Sequence, residues 1–183
     1  MRIVGGEFGG RRLLSPRGWK VRPTSERVRE AVFSALGDVQ GKVVADLFCG
    51  TGALAIEALS RGAGQAVLVD RDTRPALGNI RNLGLAGRAD IVRADVPEWV
   101  TSQVGEVSFD LIFVDPPYRS WRDFDEEFLA SLSGLLRPSG TLVAETERGQ
   151  PPEFPALTAV RERRYGRTLI TFHRLEPRPD RHE

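Results

Sequence analysis

From Lys42 onward the sequence predicts an α/β fold, a parallel sheet covered by helices on both faces. Two observations predict it. Short apolar runs rich in branched residues alternate with segments of helical periodicity. The run Phe109-Asp-Leu-Ile-Phe-Val114 also reads as a buried parallel strand, halted by Pro116 and Pro117, which cannot join a ladder.

Residues 2–14 place Ile3-Val4 and Leu13-Leu14 around Gly5-Gly6-Glu7-Phe8-Gly9-Gly10, which predicts a glycine-rich β-hairpin with Arg11 and Arg12 exposed near its turn. Residues 15–23 carry too many breakers for regular structure and predict a loop in which Arg17, Lys20 and Arg22 surround Trp19. Trp19 either meets a nucleobase or anchors the loop to the core. Thr24 or Ser25 caps a helix whose Val28, Ala31, Val32, Ala35 and Leu36 form one buried face, with Arg27, Arg29 and Glu30 opposite and Gly37 at its end. The body follows as strand Val43–Phe48, helix Ala53–Ser60, strand Gln65–Val69, helix Thr73–Leu83 and strand Asp90–Ala94. After the strand ending at Val114 come helix Phe124–Leu136, strand Thr141–Glu145 and two closing strands near Leu157–Arg163 and Thr168–Leu175.

With 183 residues, 40% hydrophobic and 28% charged, the chain suits one sizeable domain with a small appendage. The expected division is 1–24 as hairpin and basic loop, 25–175 as the main domain, and 176–183 as a flexible tail. The single Cys49 excludes an internal disulfide, and His173 and His182 stand alone, so no metal site is expected. No apolar stretch approaches ~18 residues and no signal-peptide core is visible, which predicts a cytoplasmic chain without membrane contact. Residues 1–30 hold eight basic and three acidic side chains, and residues 161–183 hold seven and four, leaving an acidic middle. Basic ends on an acidic body suit a polyanionic partner gripped at one edge.

Asp115-Pro116-Pro117-Tyr118 at the carboxyl end of a strand is a ligand position in open α/β sheets. These residue types suit a planar base with an exocyclic amine, whose lone pair is delocalised into the ring. Asp115 and the Pro116 carbonyl would accept from the amine's hydrogens, Pro117 restricts the direction of that carbonyl, and Tyr118 offers a stacking face worth ~1–3 kcal/mol. The plain alternative is a turn that ends a strand.

Between the first body strand and its helix lies Asp46-Leu-Phe48-Cys49-Gly50-Thr51-Gly52-Ala-Leu54, whose glycines let backbone N–H groups approach a ligand. Asp70 ends the next strand, placed to accept from ribose hydroxyls, and Asp95 ends the third, placed to accept from an adenine amine. Asp46 would repel a pyrophosphate yet suits an ammonium group, which favours S-adenosylmethionine over a nicotinamide dinucleotide; a purely structural Asp46 is the alternative. Cys49 reads as a packing residue, Glu57 as one that faces solvent or pairs with an arginine, and Trp121 either holds a base or closes its loop.

The loop Asp46–Leu54 followed by Asp115-Pro-Pro-Tyr118 resembles amino-group methyltransferases of the class I fold. Arg2-Ile-Val-Gly-Gly6, Gly10-Arg-Arg12, Arg22-Pro-Thr-Ser-Glu-Arg-Val-Arg-Glu-Ala31 and Gly52-Ala-Leu-Ala-Ile-Glu-Ala-Leu-Ser-Arg-Gly62 resemble, more narrowly, the 16S ribosomal RNA (guanine 966)-N2-methyltransferase family. The resemblance spans nearly the whole chain. It implies a Rossmann-like, seven-stranded, mostly parallel sheet with an antiparallel C-terminal strand, S-adenosylmethionine as methyl donor, and 16S rRNA within a small-subunit particle as substrate of a monomeric enzyme. It implies Asp115, Pro116, Pro117 and Tyr118 as catalytic residues, tyrosine standing where phenylalanine is also common. Asp46, Phe48, Gly50, Thr51, Gly52, Asp70, Arg71, Ala94, Asp95 and Asp115 would then line the cofactor, and Arg2, Arg11, Arg12, Arg17, Trp19, Lys20 and Arg22 would contact RNA. A DNA adenine N6-methyltransferase, or an RNA-binding module that lost catalysis, would share these features.

Overall fold

The residues described in a computed structural model of the chain are 1–15, 25–147 and 153–176, without the side chains of residues 118 and 119. Arg17, Trp19, Lys20 and Arg22, the stacking face expected of Tyr118, and the tail from residue 177 lie outside the described residues.

Helix α1 (Glu26–Leu36) starts at Ser25, whose hydroxyl accepts from the Val28 N–H at 3.3 Å, and stops at Gly37. The body then runs β1 (Val43–Leu47), α2 (Ala53–Ser60), β2 (Gln65–Asp70), α3 (Arg74–Leu83), β3 (Ala89–Arg93), α4 (Val96–Ser102) and β4 (Phe109–Val114). A 3-10 turn (Tyr118–Arg122), α5 (Glu126–Gly134), β5 (Leu136–Glu147), β6 (Leu157–Tyr165) and β7 (Thr168–Leu175) complete it. The seven strands form one sheet in the order β3-β2-β1-β4-β5-β7-β6. The first five are parallel, and β7 lies antiparallel between β5 and β6. This is the Rossmann-like sheet expected, with β1 and β4 side by side where the strand order reverses.

One face of the sheet packs Leu68, Phe113, Val143 and Ile170 under Val32, Phe33, Ile56 and Ile80 from α1, α2 and α3. The other packs Ile112, Val114 and Leu142 under Val100, Phe128 and Leu132 from α4 and α5. Two-sided burial is why the strand runs are almost continuously apolar.

Three local expectations change. Helix α4 was not foreseen, although Asp95-Val-Pro-Glu98 carries its start signals: the Asp95 carboxylate accepts from the Glu98 N–H at 3.2 Å, with a proline in the first turn. Helix α5 begins two residues later than expected because Asp125 caps it, accepting from the Phe128 N–H at 2.8 Å. Strand β5 starts at Leu136, not Thr141, since Leu136 pairs with Phe109. A register shift before the Leu111–Thr141 pair absorbs Pro138 without costing a ladder bond in the centre of the sheet.

The N-terminal residues form a tight turn closed by a single antiparallel bridge, Arg2 with Arg12, and by the Ile3 N–H donating to the Arg11 carbonyl at 3.0 Å. Ile3, Phe8 and Leu13 are buried in the same core as α1 and α2. Gly6, at φ +78°, lies so close to α2 that a Cβ there would stand 1.9 Å from the Ser60 carbonyl oxygen. Only glycine allows that approach.

Arg29, expected on the solvent face of α1, is instead fully buried. Its guanidinium faces the equally buried Glu57 of α2, with Nε 4.0 Å from a carboxylate oxygen, and donates to the Arg2 carbonyl. Glu57 also accepts from the backbone N–H groups of Val4 at 2.8 Å and Gly5 at 2.9 Å, and from Arg61 Nε at 2.8 Å. The pairing with an arginine is as expected, but here it fastens the N-terminal turn to the sheet's helical cover.

Candidate active site at the carboxyl end of the sheet

Five acids stand towards the carboxyl ends of the parallel strands: Asp46 near the end of β1, Asp70 ending β2, Asp95 after β3, Asp115 after β4, and Glu145 two residues before the end of β5.

The loop after β1 is held by two of these carboxylates. Asp46 is 1% exposed and one of its oxygens accepts from the Ala55 N–H in the first turn of α2 at 3.0 Å. Burial pushes its carboxyl up to about 8; the Ala55 N–H opposes this, and the charge of Asp70 adds to it. One Asp70 oxygen accepts from the Gly50 N–H at 2.9 Å and the other from the Asp72 N–H at 3.0 Å. Gly52 takes φ +76°, and a Cβ on it would stand 2.8 Å from the Leu68 side chain. Phe48 adopts φ +62°, a strained value for a residue with a side chain. Its ring is gripped by Phe124 at 5.5 Å and Phe128 at 6.4 Å between centroids.

Thr51 is buried, and its carbonyl accepts from Asn79 Nδ2 at 3.0 Å. Asn79 also accepts from the Leu14 N–H at 2.7 Å and donates to the Leu14 carbonyl at 3.0 Å. It thus ties the glycine loop to the chain leading into the basic stretch, a role no sequence signal marked beyond an asparagine in the middle of a helix. Cys49 is buried, which pushes its thiol well up and agrees with the packing role.

The exposed Arg71 side chain pairs with Asp95, Nε lying 2.8 Å from a carboxylate oxygen, while the other Asp95 oxygen caps α4. The Ala94 N–H donates to the Asp70 carbonyl at 3.1 Å, holding the β2 and β3 ends together.

Asp115 is half-buried at the end of β4, Pro116 is buried and Pro117 exposed. Asp115 lines a pocket with Glu145, Val32, Leu54, Phe113, Val114, Val143 and Ile170. Glu145 was not singled out from sequence; the signal available was its place as the last residue of a predicted strand. Trp121 closes the loop after Asp115-Pro-Pro: its indole N–H donates to the Glu145 carbonyl at 3.0 Å, and its ring packs against Phe124 and Phe154.

Away from this edge, Arg11 and Arg12 are exposed, the Arg11 guanidinium lying 5.2 Å over the Phe8 ring, and the Arg2 N–H donates to Glu26 at 2.6 Å. No group of three or more His, Cys, Asp or Glu suited to a metal ion, and no helix long and apolar enough to cross a membrane, occurs among the described residues.

The family described as Conserved hypothetical protein 95 matches residues 1–174. Ribosomal RNA small subunit methyltransferase D of Escherichia coli K12 is 34% identical over 183 residues, covering 96% of this chain and 90% of its own. The enzyme of the same name from Haemophilus influenzae is 28% identical, covering 82% and 81%. Among solved structures, the yhhF protein of Escherichia coli superposes with a TM-score of 0.83 at 32% identity, covering 96% of this chain and 98% of its own. With its class I methyltransferase fold and these near full-length matches, the chain belongs to the family of ribosomal RNA small subunit methyltransferase D.

Proposed function

We propose that the protein methylates the exocyclic N2 amino group of one guanine in 16S rRNA, guanine 966 by family resemblance, with S-adenosylmethionine as donor. The observation that carries this reading is the pair of features at the β1–β4 switch point: a glycine loop bordered by carboxylates beside Asp115-Pro116-Pro117-Tyr118. The donor set fits this cofactor, because Asp70 and Asp95 offer acceptors suited to a ribose and an adenine amine, and Asp46, on ionising, to an ammonium.

Bound there, S-adenosylmethionine supplies an electrophilic methyl group. Asp70 receives the ribose hydroxyls, Asp46 the ammonium, and Asp95 the adenine amine, with Phe48, Gly50, Thr51, Gly52, Arg71 and Ala94 completing the wall. Asp115 and the Pro116 carbonyl accept from the two N2 hydrogens, which turns the nitrogen lone pair out of the ring and towards the methyl carbon. On methyl transfer Asp115 or water would take up the N2 proton that the amine loses. Tyr118 stacks on the extruded base, whose flipping costs a few kcal/mol and least where it is already unpaired. Residues 1–24 grip RNA phosphates through Arg2, Arg11, Arg12, Arg17, Lys20 and Arg22, with Trp19 against a base, while residues 25–175 perform the chemistry. The substrate is the small subunit or its assembly intermediate, met in the cytoplasm by a monomeric enzyme.

Labelled S-adenosylmethionine offered in parallel to small subunits lacking the modification, to naked rRNA and to duplex DNA tests this. Label is expected at guanine N2 in the subunits. Label in DNA would overturn the reading in favour of adenine methylation, and no transfer to any of them would leave a binding module.

A further inference from the structure

We propose that the outer strand β6 carries a second contact for rRNA, in which Arg161 and Arg163 meet backbone phosphates beside the pocket; this rests on the function proposed above. Up to Ala159, β6 turns its apolar side to the α4 and α5 face of the sheet. Leu157 pairs there with Leu175, and Ala159 with His173, whose ring packs edge-on against Phe154 of that core. Strict alternation would send Arg161 and Arg163 the same way. A bulge at Val160 prevents it, because Ala159 opposes His173 while Arg161 opposes Phe172, a residue of the other core. Beyond the bulge Arg161, Arg163 and Tyr165 therefore stand on the face covered by α1. Arg161 donates to the Ala35 carbonyl of that helix at 2.7 Å, and Tyr165 packs against the core beneath it. Glu162 goes to the opposite face, where Arg164 lies 2.6 Å from its carboxylate.

This is the face of the pocket that Asp115 lines. Ile170, in the pocket wall, pairs with Glu145 on one side and with Arg163 on the other. Arg163 thus lies one strand spacing, about 5 Å, from one residue of the wall and two spacings from another. It is exposed and donates to the adjacent Glu162 carbonyl at 3.0 Å, which uses one of the several donors a guanidinium carries. The N-terminal turn is bonded to α2 through Glu57 and Ser60, and α2 packs on β1 and β2. Strand β6 is the sheet edge on the other side of the pocket. A base extruded into the pocket leaves its phosphates outside, and arginines on both flanks would hold the RNA strand on either side of it. Guanidinium groups suit phosphate oxygens, and such contacts fix position without reading sequence. Charges on an edge strand also discourage strand pairing, but either face would serve that purpose, whereas the bulge turns these two arginines to the pocket side.

Equilibrium binding of small subunits lacking the modification, measured over a range of salt concentrations, tests this. Arg163→Ala should weaken binding by about 10-fold or more and flatten the logarithmic salt dependence by about one unit. Arg163→Lys, which keeps the charge, should keep most of the slope. Arg164→Ala, on the opposite face, should bind as the wild type does. Cofactor affinity and melting temperature should be unchanged in all three. Weaker binding of Arg163→Ala at an unchanged slope would point to a protein strand paired with the β6 edge and overturn the inference alone, as would undiminished binding. So would equal losses in Arg163→Ala and Arg164→Ala, the mark of diffuse charge. Methyl transfer by the wild type to duplex DNA and not to subunits would overturn the proposed function and this inference together.

Discussion

Arg29 and Glu57 are both fully buried, on different helices, and the carboxylate of Glu57 holds the backbone of Val4 and Gly5 while the guanidinium of Arg29 holds the carbonyl of Arg2. A segment that sequence suggested to be a small appendage is thereby fixed to α1 and α2 by a pair of opposite charges. Burial lowers the pKa of Arg29, while the charges of Glu57 and Glu26 oppose that effect.

Removing one partner exposes the cost of the other. Glu57→Ala would leave the Arg29 charge without its buried counter-ion and two backbone N–H groups without an acceptor. The expected loss of stability in urea unfolding is about 3–5 kcal/mol. Glu57→Gln, which keeps an acceptor, should lose less. Equal losses would show that charge, and not hydrogen bonding, secures the turn.

Asp70→Ala should weaken binding of S-adenosylmethionine by roughly 10- to 150-fold, from a charge-assisted bond worth ~1.5–3 kcal/mol. Affinity for rRNA should persist. Because Asp70 also holds the Gly50 N–H, isothermal calorimetry should show a more unfavourable binding entropy as the loop orders on binding.

Asp46 should make cofactor binding depend on pH. Burial raises its carboxyl from 3.8 to about 8, so the folded chain keeps a proton that the unfolded chain gives up near pH 4. Its contribution to stability is full below about pH 4 and is lost as pH rises through about 8. An ammonium group needs the anion, so binding at pH 7 should release up to about one proton, measurable by calorimetry in buffers of different ionisation enthalpy. Asp46→Asn should abolish the release and flatten the fall in stability; a release that persists would place the titration elsewhere.

Asp115→Ala should lower single-turnover rates by roughly 10- to 150-fold while cofactor binding persists, since the bond proposed between Asp115 and the amine would strengthen as the nitrogen becomes tetrahedral. Arg11→Ala with Arg12→Ala should act differently, weakening rRNA binding and flattening its salt dependence by about one unit per lost phosphate contact. Rates at saturating substrate should then stay near wild type. A lowered rate with an unchanged salt slope would make the N-terminal turn part of the catalytic architecture.

The alternation of strands and helices, the glycine loop after β1 and the run halted at Pro116-Pro117 were legible in the sequence because each depends on local periodicity or on residues that break it. So were the acids at the ends of β1 to β4, since a residue's place at a strand end is itself local. Helix α4 had a readable start at Asp95 but is only seven residues long, too short for periodicity to reveal. Only the tertiary structure decided which strands are neighbours, and with it that Glu145 and Asp115 line one pocket. Only it could reveal that Arg29 is buried, that Asn79 joins Leu14 to Thr51, and that Pro138 fits a register shift. These depend on partners 27 or more residues away or on the pairing of whole strands, and no local pattern encodes a partner at that distance.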